Sequence, residues 1–413
     1  MIKQTCENSK SASKIISKLD TKIKNNVLSR IIYYLKKDKK IILEQNKKDL
    51  LNSKMSGRDE AFLQRLAVNE KIIRDMIAGI EIIIKLDDPV KKIIESKILS
   101  NGLKLEKISV PLGVVLVIYE SRPNVTIDVA SICIKSGNAV ILKGGSDALN
   151  TNIALYNCIK KAFNDTKLDS NIVQFVSTKN YDDVTSLLSM DKYIDVVIPR
   201  GGKKLIESIV ANSRIPVIKQ FEGVCTIYVD KDADFKKAIS IIINAKIQKP
   251  SACNSVENVI VHDAIKNEFL PLLEKALNKE SVEIRGCNKT KKILAKIKLA
   301  SVEDYKTEYL AKILSIKIVN DLDESIKFIE TYSSGHSEAI ITENVKTANK
   351  FLEIIDSAAV YHNASTRFTD GGCFDMGCEI GISTQKIHAR GPMGLNEMIS
   401  YKYIVRGNGE IRR

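Results

Sequence analysis

VVLVIYESRPNVTIDVASICIKSGNAVILKGGS, residues 114–146, decides the fold. Val114–Tyr119 is an unbroken apolar run of strand length, and a helix-like stretch separates it from a second run, Ala139–Leu142. A strand that is apolar on both faces belongs inside a parallel sheet covered by helices. The second run ends in Lys143-Gly144-Gly145-Ser146, a basic, glycine-rich turn. In open α/β sheets, ligands bind beyond the carboxyl ends of the strands, where backbone N–H groups can face phosphate.

The same alternation continues outward. Ile172–Phe175, Val196–Ile198 and Val217–Ile218 extend the first series. Thr226–Val229, Val256–Val261, Leu314–Val319, Ala339–Thr342 and Ala358–Val360 form a second. The expected fold is therefore α/β, with two doubly wound units and a cleft between them. That agrees with 413 residues at roughly 150 per domain. Upstream, Ala12–Leu19, Val27–Leu35 and Lys71–Ile84 space apolar residues three and four apart, as helices do. Between these helices and the first strand, Lys97–Val110 alternates apolar and polar residues around Asn101-Gly102, a hairpin signal. A lone hairpin is marginal, so this one is a candidate for pairing across a subunit interface.

Composition narrows the classes. Hydrophobic residues at 44% and charged residues at 28% exclude wholesale disorder. Eight cysteines with no CxxC pair are too few for a disulfide scaffold. The longest apolar stretch is about half of the roughly 20 residues needed to span a bilayer, and the start, MIKQTCENSK, has no signal-peptide core. A soluble, cytoplasmic, reduced protein with no membrane partner is expected. The net charge of +14 invites a nucleic-acid reading, but the lysines are dispersed, Trp is absent and aromatics are only 6%. Single-strand binding needs aromatic platforms interleaved with the charge. No nucleic-acid partner is expected, and the excess reads as surface composition.

Among the chemically capable residues, Cys253 stands out, because a thiolate is the strongest nucleophile a chain offers near neutrality. It lies in Gln248-Lys249-Pro250-Ser251-Ala252-Cys253-Asn254-Ser255, where small and turn-forming residues leave room for a substrate, just before a strand. Cys133 and Cys158 fall in apolar, helix-like segments, and Cys6 in a polar terminus. A second basic turn, Arg200-Gly201-Gly202-Lys203, repeats the design of Lys143–Ser146. Neither turn is GxGxxG or a P-loop, but two in one sheet favour an anionic dinucleotide. His262, His336, His362 and His388 lack metal-ligand spacing, so no metal is expected. His336 precedes a strand and could be a polar cleft residue; His388-Ala389-Arg390 is a cationic turn that could cradle a carboxylate or phosphate.

YESRPNVT (119–126), SGNAVILKGG (136–145), PRGG (199–202), QKPSACNSVE (248–257), SSGHSEAIIT (333–342) and GISTQKIHARGPMGL (381–395) resemble the γ-glutamyl phosphate reductase branch of the aldehyde dehydrogenase superfamily. The resemblance runs in order over nearly the whole chain. It implies NADPH-dependent reduction of L-γ-glutamyl 5-phosphate to glutamate 5-semialdehyde, the second step of proline synthesis, in functional pairing with glutamate 5-kinase. It implies Cys253 as the catalytic nucleophile, with Asn124 as an oxyanion donor and Arg122, His336, His388 and Arg390 at the substrate. For NADPH/NADP it implies Lys143, Gly144, Ser146, Gly201, Gly202 and Glu308; Glu308 comes from the resemblance alone.

The resemblance also implies a homodimer or homotetramer built on strands in 97–110 and 396–413. The NADPH-binding domain would comprise 1–96 and 111–224, the catalytic domain 225–365, and 366–395 a segment at the substrate and cofactor. The chain departs from the family pattern at Gln220, where most members have His, and at Cys373 and Cys378, where Glu and Ala are usual. Another phosphorylating or CoA-acylating aldehyde dehydrogenase is the alternative in the same fold. A basic nucleic-acid-binding protein is the alternative from another class.

Overall fold

The computed structural model describes residues 1–178 and 180–412. It divides into two compact units. The first comprises Met1–Lys219, Asp375–Gly381 and Pro392–Arg413, and the second Gln220–Phe374 and Ile382–Gly391. The change of unit thus falls at 219/220, where the sequence suggested 224/225, and the 366–395 segment is shared between both. Arg413, at the end of the expected 396–413 strand segment, lies outside the described residues.

In the first unit the chain begins with helices Ile2–Ile16, Thr21–Lys37, Lys39–Met55, Glu60–Leu66 and Glu70–Lys85. Strands β1 (Ile93–Ile98) and β2 (Lys104–Pro111) pair antiparallel around the Asn101-Gly102 turn, where Gly102 takes φ +89°. Next come β3 (Val114–Tyr119), β4 (Ala139–Gly144), β5 (Val173–Phe175) and β6 (Val196–Arg200). They form a parallel sheet in the order β5-β4-β3-β6. Every residue of β3 and of β4 is buried, as their unbroken apolar character requires. Each buried Val, Leu or Ile stabilises the fold by about 1.5–3 kcal/mol relative to exposure.

Two expectations need correction here. Val217–Ile218 is no strand; Val217 makes a single bridge to Val197, because Pro216 before it has no N–H to extend a ladder. Cys6 is fully buried against Val114, Leu116 and Ile141 of the sheet core, not in a polar terminus. The first helix turns Cys6, Ser9, Ala12 and Ile16 inward at helical spacing, and Gln174 Nε2 fastens it by donating to Thr5 O at 2.7 Å.

The second unit contains β7 (Cys225–Val229), β8 (Val256–His262), β9 (Glu283–Gly286), β10 (Lys298–Leu299), β11 (Ile313–Val319), β12 (Ser337–Ile341) and β13 (Ala359–His362). They build a parallel sheet in the order β10-β9-β11-β8-β7-β12-β13. Alternate residues serve opposite faces. Ile227, Val259 and Ile316 pack with Phe269 and Leu273 of helix Lys266–Lys279. Tyr228, Ile260 and Ile340 pack with Phe328 and Phe351 of helices Leu322–Tyr332 and Val345–Ile354. Both faces are thus covered, which is why the strands read as continuous apolar runs. Strand β9 escaped the sequence reading because only Ile284 breaks its polar character, with Arg285 Nε bonded to Glu283 at 2.8 Å.

Two short strands, β14 (Gly381–Ser383) and β15 (Gly391–Met393), pair with each other. The final strand, β16 (Ile399–Arg406), pairs antiparallel with β2 and completes a three-stranded sheet in the order β1-β2-β16.

Candidate active site

In the first sheet the chain runs from β3 to β4 on one side and later crosses back to β6 on the other. The strand order therefore reverses between β3 and β6. Ligand-binding crevices form at the carboxyl ends of such a pair. Those ends carry Glu120 and Gly201-Gly202, joined by the Glu120 N–H donating to Arg200 O at 2.9 Å. Gly202 caps helix Lys203–Asn212, and its N–H donates to Glu120 Oε2 at 2.8 Å. An anionic oxygen thus already sits on the helix N-terminus, where a phosphate oxygen would sit. A Cβ on Gly201 would stand 2.6 Å from Glu120 Oε2 and 2.7 Å from Leu205, so only glycine keeps this approach open.

The neighbouring strand, β4, ends on Lys143 and Gly144. Lys143 is buried and its Nζ donates to Gly144 O at 2.9 Å. Burial lowers its pKa, and an anion brought beside it would favour the charged ammonium again. Gly144 admits no side chain, because a Cβ would lie 2.2 Å from Asn152 Nδ2. Ser146 is exposed in the short 3₁₀ turn that follows. Glycines at the crevice, a buried lysine and a carboxylate already on the helix N-terminus fit a dinucleotide phosphate.

Asn124 opens helix Asn124–Lys135 and is half-buried. Its Nδ2 donates to Asp128 Oδ2 at 2.8 Å. An amide nitrogen carries two hydrogens, so this bond sets the plane of the carboxamide and leaves a second donor. Burial, with Glu379 nearby, pushes the Asp128 carboxyl up to about 7. Arg122 is half-buried just before this helix.

In the second unit the functional groups lie at the amino ends of β7, β8 and β12. Helix Phe235–Ile247 ends before Pro250, and residues 248–255 turn tightly into β8. The Ala252 N–H donates to Lys249 O at 3.0 Å and the Ser255 N–H to Ala252 O at 2.9 Å. Cys253, in this turn, is half-buried. The loop is clamped on all sides: Asn254 Nδ2 donates to Thr369 O at 2.8 Å, Thr366 Oγ1 to Asn254 O at 2.7 Å, and Ser255 Oγ to Ala245 O at 3.1 Å. Gly223 lies directly against it, and a Cβ there would fall 1.7 Å from Cys253 O. The Cys225 thiol donates to that same carbonyl oxygen at 3.3 Å.

Glu308 Oε1 accepts the Gly223 N–H at 2.9 Å. Burial raises its pKa, with the Gly223 bond opposing the rise. The Glu338 carboxyl is fully buried, accepts the Thr226 N–H at 2.8 Å and the Ser333 hydroxyl, and is pushed up to about 8 by burial. Lys246 Nζ donates to Glu257 at 2.6 Å with both side chains fully buried, an ion pair that links the preceding helix to β8.

The structure brings Cys253, Glu308 and His336 into one cluster, since His336 Nδ1 lies 3.8 Å from Cys225 Sγ and the ring acts electrostatically on Glu308. The expectation put His336 at the substrate; its ring is fully buried, with Nδ1 2.7 Å from Ser337 Oγ. Arg390 donates from Nη1 to Asp356 Oδ1 at 2.5 Å and from Nη2 to Asp356 O, so its guanidinium is already paired. His388 is exposed on the loop between β14 and β15. Glu120, Gly223, Cys225 and Glu338 escaped the sequence reading. None of these carries a local signal; each is marked only by contacts made in the fold. Among the described residues, no group of three or more His, Cys, Asp or Glu could hold a metal ion. No described helix is long and apolar enough to cross a membrane.

Residues 1–290 match the aldehyde dehydrogenase family. The chain is 46% identical over 411 residues to the γ-glutamyl phosphate reductase of Nautilia profundicola, covering 100% of both chains. It is 48% identical over 403 residues to that of Carboxydothermus hydrogenoformans, covering 98% of this chain and 97% of the relative. The crystal structure of γ-glutamyl phosphate reductase from Thermotoga maritima matches it with a TM-score of 0.96 at 43% identity, over 100% of each chain.

Proposed function

The chain belongs to the aldehyde dehydrogenase family, in its γ-glutamyl phosphate reductase branch, and on that premise we propose the following reaction. It reduces L-γ-glutamyl 5-phosphate to L-glutamate 5-semialdehyde with release of phosphate, through a thioester on Cys253 and with NADPH as reductant. The family works with a nicotinamide cofactor. NADPH in particular rests on Lys143, a buried cation at the end of β4 with no acidic residue directly after it. Gly144, Ser146, Gly201 and Gly202 would hold the rest of its phosphate chain, and Glu308 the nicotinamide ribose.

The observation that carries the reading is the clamped, half-buried Cys253 turn. The Cys253 thiolate attacks the acyl carbon, and the C–O bond to phosphate breaks as the C–S bond forms. The Cys253 backbone N–H is one candidate donor for the oxyanion of that step, and the Asn124 side chain the other. When bound, the reduced nicotinamide supplies the hydride that converts thioester to thiohemiacetal. Collapse of the thiohemiacetal returns the Cys253 thiolate and frees the aldehyde. Two modest steps thus replace one difficult displacement. Gln220, where hydrolytic relatives place a glutamate base, offers no group to activate water, so the thioester is spared hydrolysis.

A coupled assay with glutamate 5-kinase, ATP and glutamate tests the reaction. NADPH consumption that depends on both the kinase and this protein is expected; none from folded protein would reject it. The kinase supplies the acyl phosphate, which motivates a functional pairing of the two enzymes in the cytoplasm.

A homodimer or homotetramer belongs to the same reading. Its support is the β1-β2-β16 sheet, where Ile93, Ile94, Ile98, Tyr401, Tyr403 and Val405 are exposed. Truncation before Tyr401 should lower the sedimentation coefficient to that of a smaller species. An unchanged coefficient would remove the sheet from the assembly.

A further inference from the structure

Cys225 is a second cysteine beside the proposed nucleophile, and the reaction as written leaves it without a task. It begins β7, is fully buried, and places its Sγ 3.3 Å from the carbonyl oxygen of Cys253. Burial raises its pKa well above the ordinary thiol value, and Glu338 and Cys253 add to the rise. Near neutrality Cys225 is therefore a neutral S–H with a single hydrogen to give.

The groups around the thiol determine where that hydrogen goes. His336 Nδ1 lies 3.8 Å from Cys225 Sγ but 2.7 Å from Ser337 Oγ. Ser337 Oγ is in turn 2.6 Å from Thr369 Oγ1, which is 2.7 Å from the Tyr361 hydroxyl. This chain of hydroxyls engages Nδ1 and leaves the thiol hydrogen to the Cys253 carbonyl. The chain also returns to the loop, because Thr369 O accepts the Asn254 amide at 2.8 Å.

We propose that Cys225 is a positioning residue for Cys253, its thiol fixing the Cys253–Asn254 peptide while His336 and the Ser337–Thr369–Tyr361 chain hold that thiol in place. The peptide unit is planar, so a bond to its carbonyl oxygen fixes the whole plane. That restrains ψ of Cys253, and with it the orientation of the Cα that carries the thiol. A nucleophile displaced by an ångström costs about 100-fold in rate, so one such bond has a large lever. His336 on this account acts through Cys225 and not on the substrate, as its complete burial requires.

The inference rests on Cys253 being the nucleophile, and the test separates the two. Cys225→Ala removes the donor; Cys225→Ser keeps one. In Cys225→Ala, kcat is expected to fall ~10-fold or more, with KM for acyl phosphate and NADPH within about twofold. Iodoacetamide modification of Cys253, followed by peptide mass spectrometry, should slow in parallel. Cys225→Ser should recover most of both. Should the alanine variant fail to fold, Cys225→Thr against Cys225→Val gives the same contrast in two isosteric side chains. Unchanged kcat in Cys225→Ala, or an equal loss in donor and non-donor variants, would overturn the proposal. Retained turnover in Cys253→Ala would instead reject the thioester reading beneath it.

Discussion

In the first unit the functional groups gather at the carboxyl ends of β3, β4 and β6; in the second they gather at the amino ends of β7, β8 and β12. Both sheets are parallel and reverse their strand order, so each has a crevice at its carboxyl end. The first presents Gly201, Gly202, Arg200 and Lys143, with a helix N-terminus capped by one exchangeable carboxylate, Glu120. The second is closed by its own side chains. Asp230 accepts Thr342 Oγ1 at 2.8 Å and Tyr228 OH at 3.1 Å, while Asp234 and Asn344 cap their own helices. On the proposed function, an anionic dinucleotide would be accepted at the first crevice and not at the second. What decides which end of a parallel sheet works is thus the chemistry of the turn, not the winding.

Rigidity differs in the same sense. The Cys253 turn is clamped by Cys225, Thr366, Thr369 and Ala245, and Gly223 backs it without space for a methyl group. A group that forms a covalent bond must be held before the substrate arrives. At the carboxyl ends of β4 and β6, Lys143 and Gly202 each hold a bond that an incoming phosphate can replace.

Substitutions can break that contrast. Gly223→Ala carries the largest expected effect, since its Cβ would collide with Cys253 O at 1.7 Å. The loop must shift, and kcat should fall ~100-fold or more, with cofactor affinity nearly unchanged. Near-normal kcat would show that the clamp is not needed.

Glu338 tests the electrostatics of the same end. Its folded pKa is raised from 4.5 to about 8, so the folded state binds this proton more tightly than the unfolded chain. The stability it lends is complete below pH 4.5 and is lost as pH climbs through about 8. Between about pH 5 and 7 the native protein should lose on the order of 2 kcal/mol that Glu338→Gln does not lose. Urea midpoints across that range measure it, and parallel profiles would contradict the assignment.

At the cofactor end a smaller loss is expected. If Lys143 holds the 2′-phosphate as proposed, Lys143→Ala should raise the KM for NADPH about tenfold and that for NADH less than twofold. Equal losses would reject the 2′-phosphate assignment.

Much of this contrast was legible in the sequence. The runs VVLVIY and AVIL, the Lys143–Ser146 and Arg200–Lys203 turns and the small residues around Cys253 are local signals, and each fell where the pattern put it. What stayed hidden depends on contacts between distant segments. Nothing local in Ile399–Arg406 reports its pairing with Lys104–Pro111. Glu308 reaches Gly223 across the second unit, and Cys225 looks like any residue entering an apolar strand. His336 reads as a polar cleft residue from its Gly and Ser neighbours, yet its ring is fully buried.

The most direct test is to trap the acyl-enzyme. Protein incubated with glutamate 5-kinase, ATP and glutamate, without NADPH, should be quenched in acid and digested. A glutamyl mass increment on the Cys253 peptide that hydroxylamine removes is expected, absent from Cys253→Ala. An unmodified Cys253 peptide in a preparation that turns over when NADPH is added, or an increment on another cysteine, would contradict it.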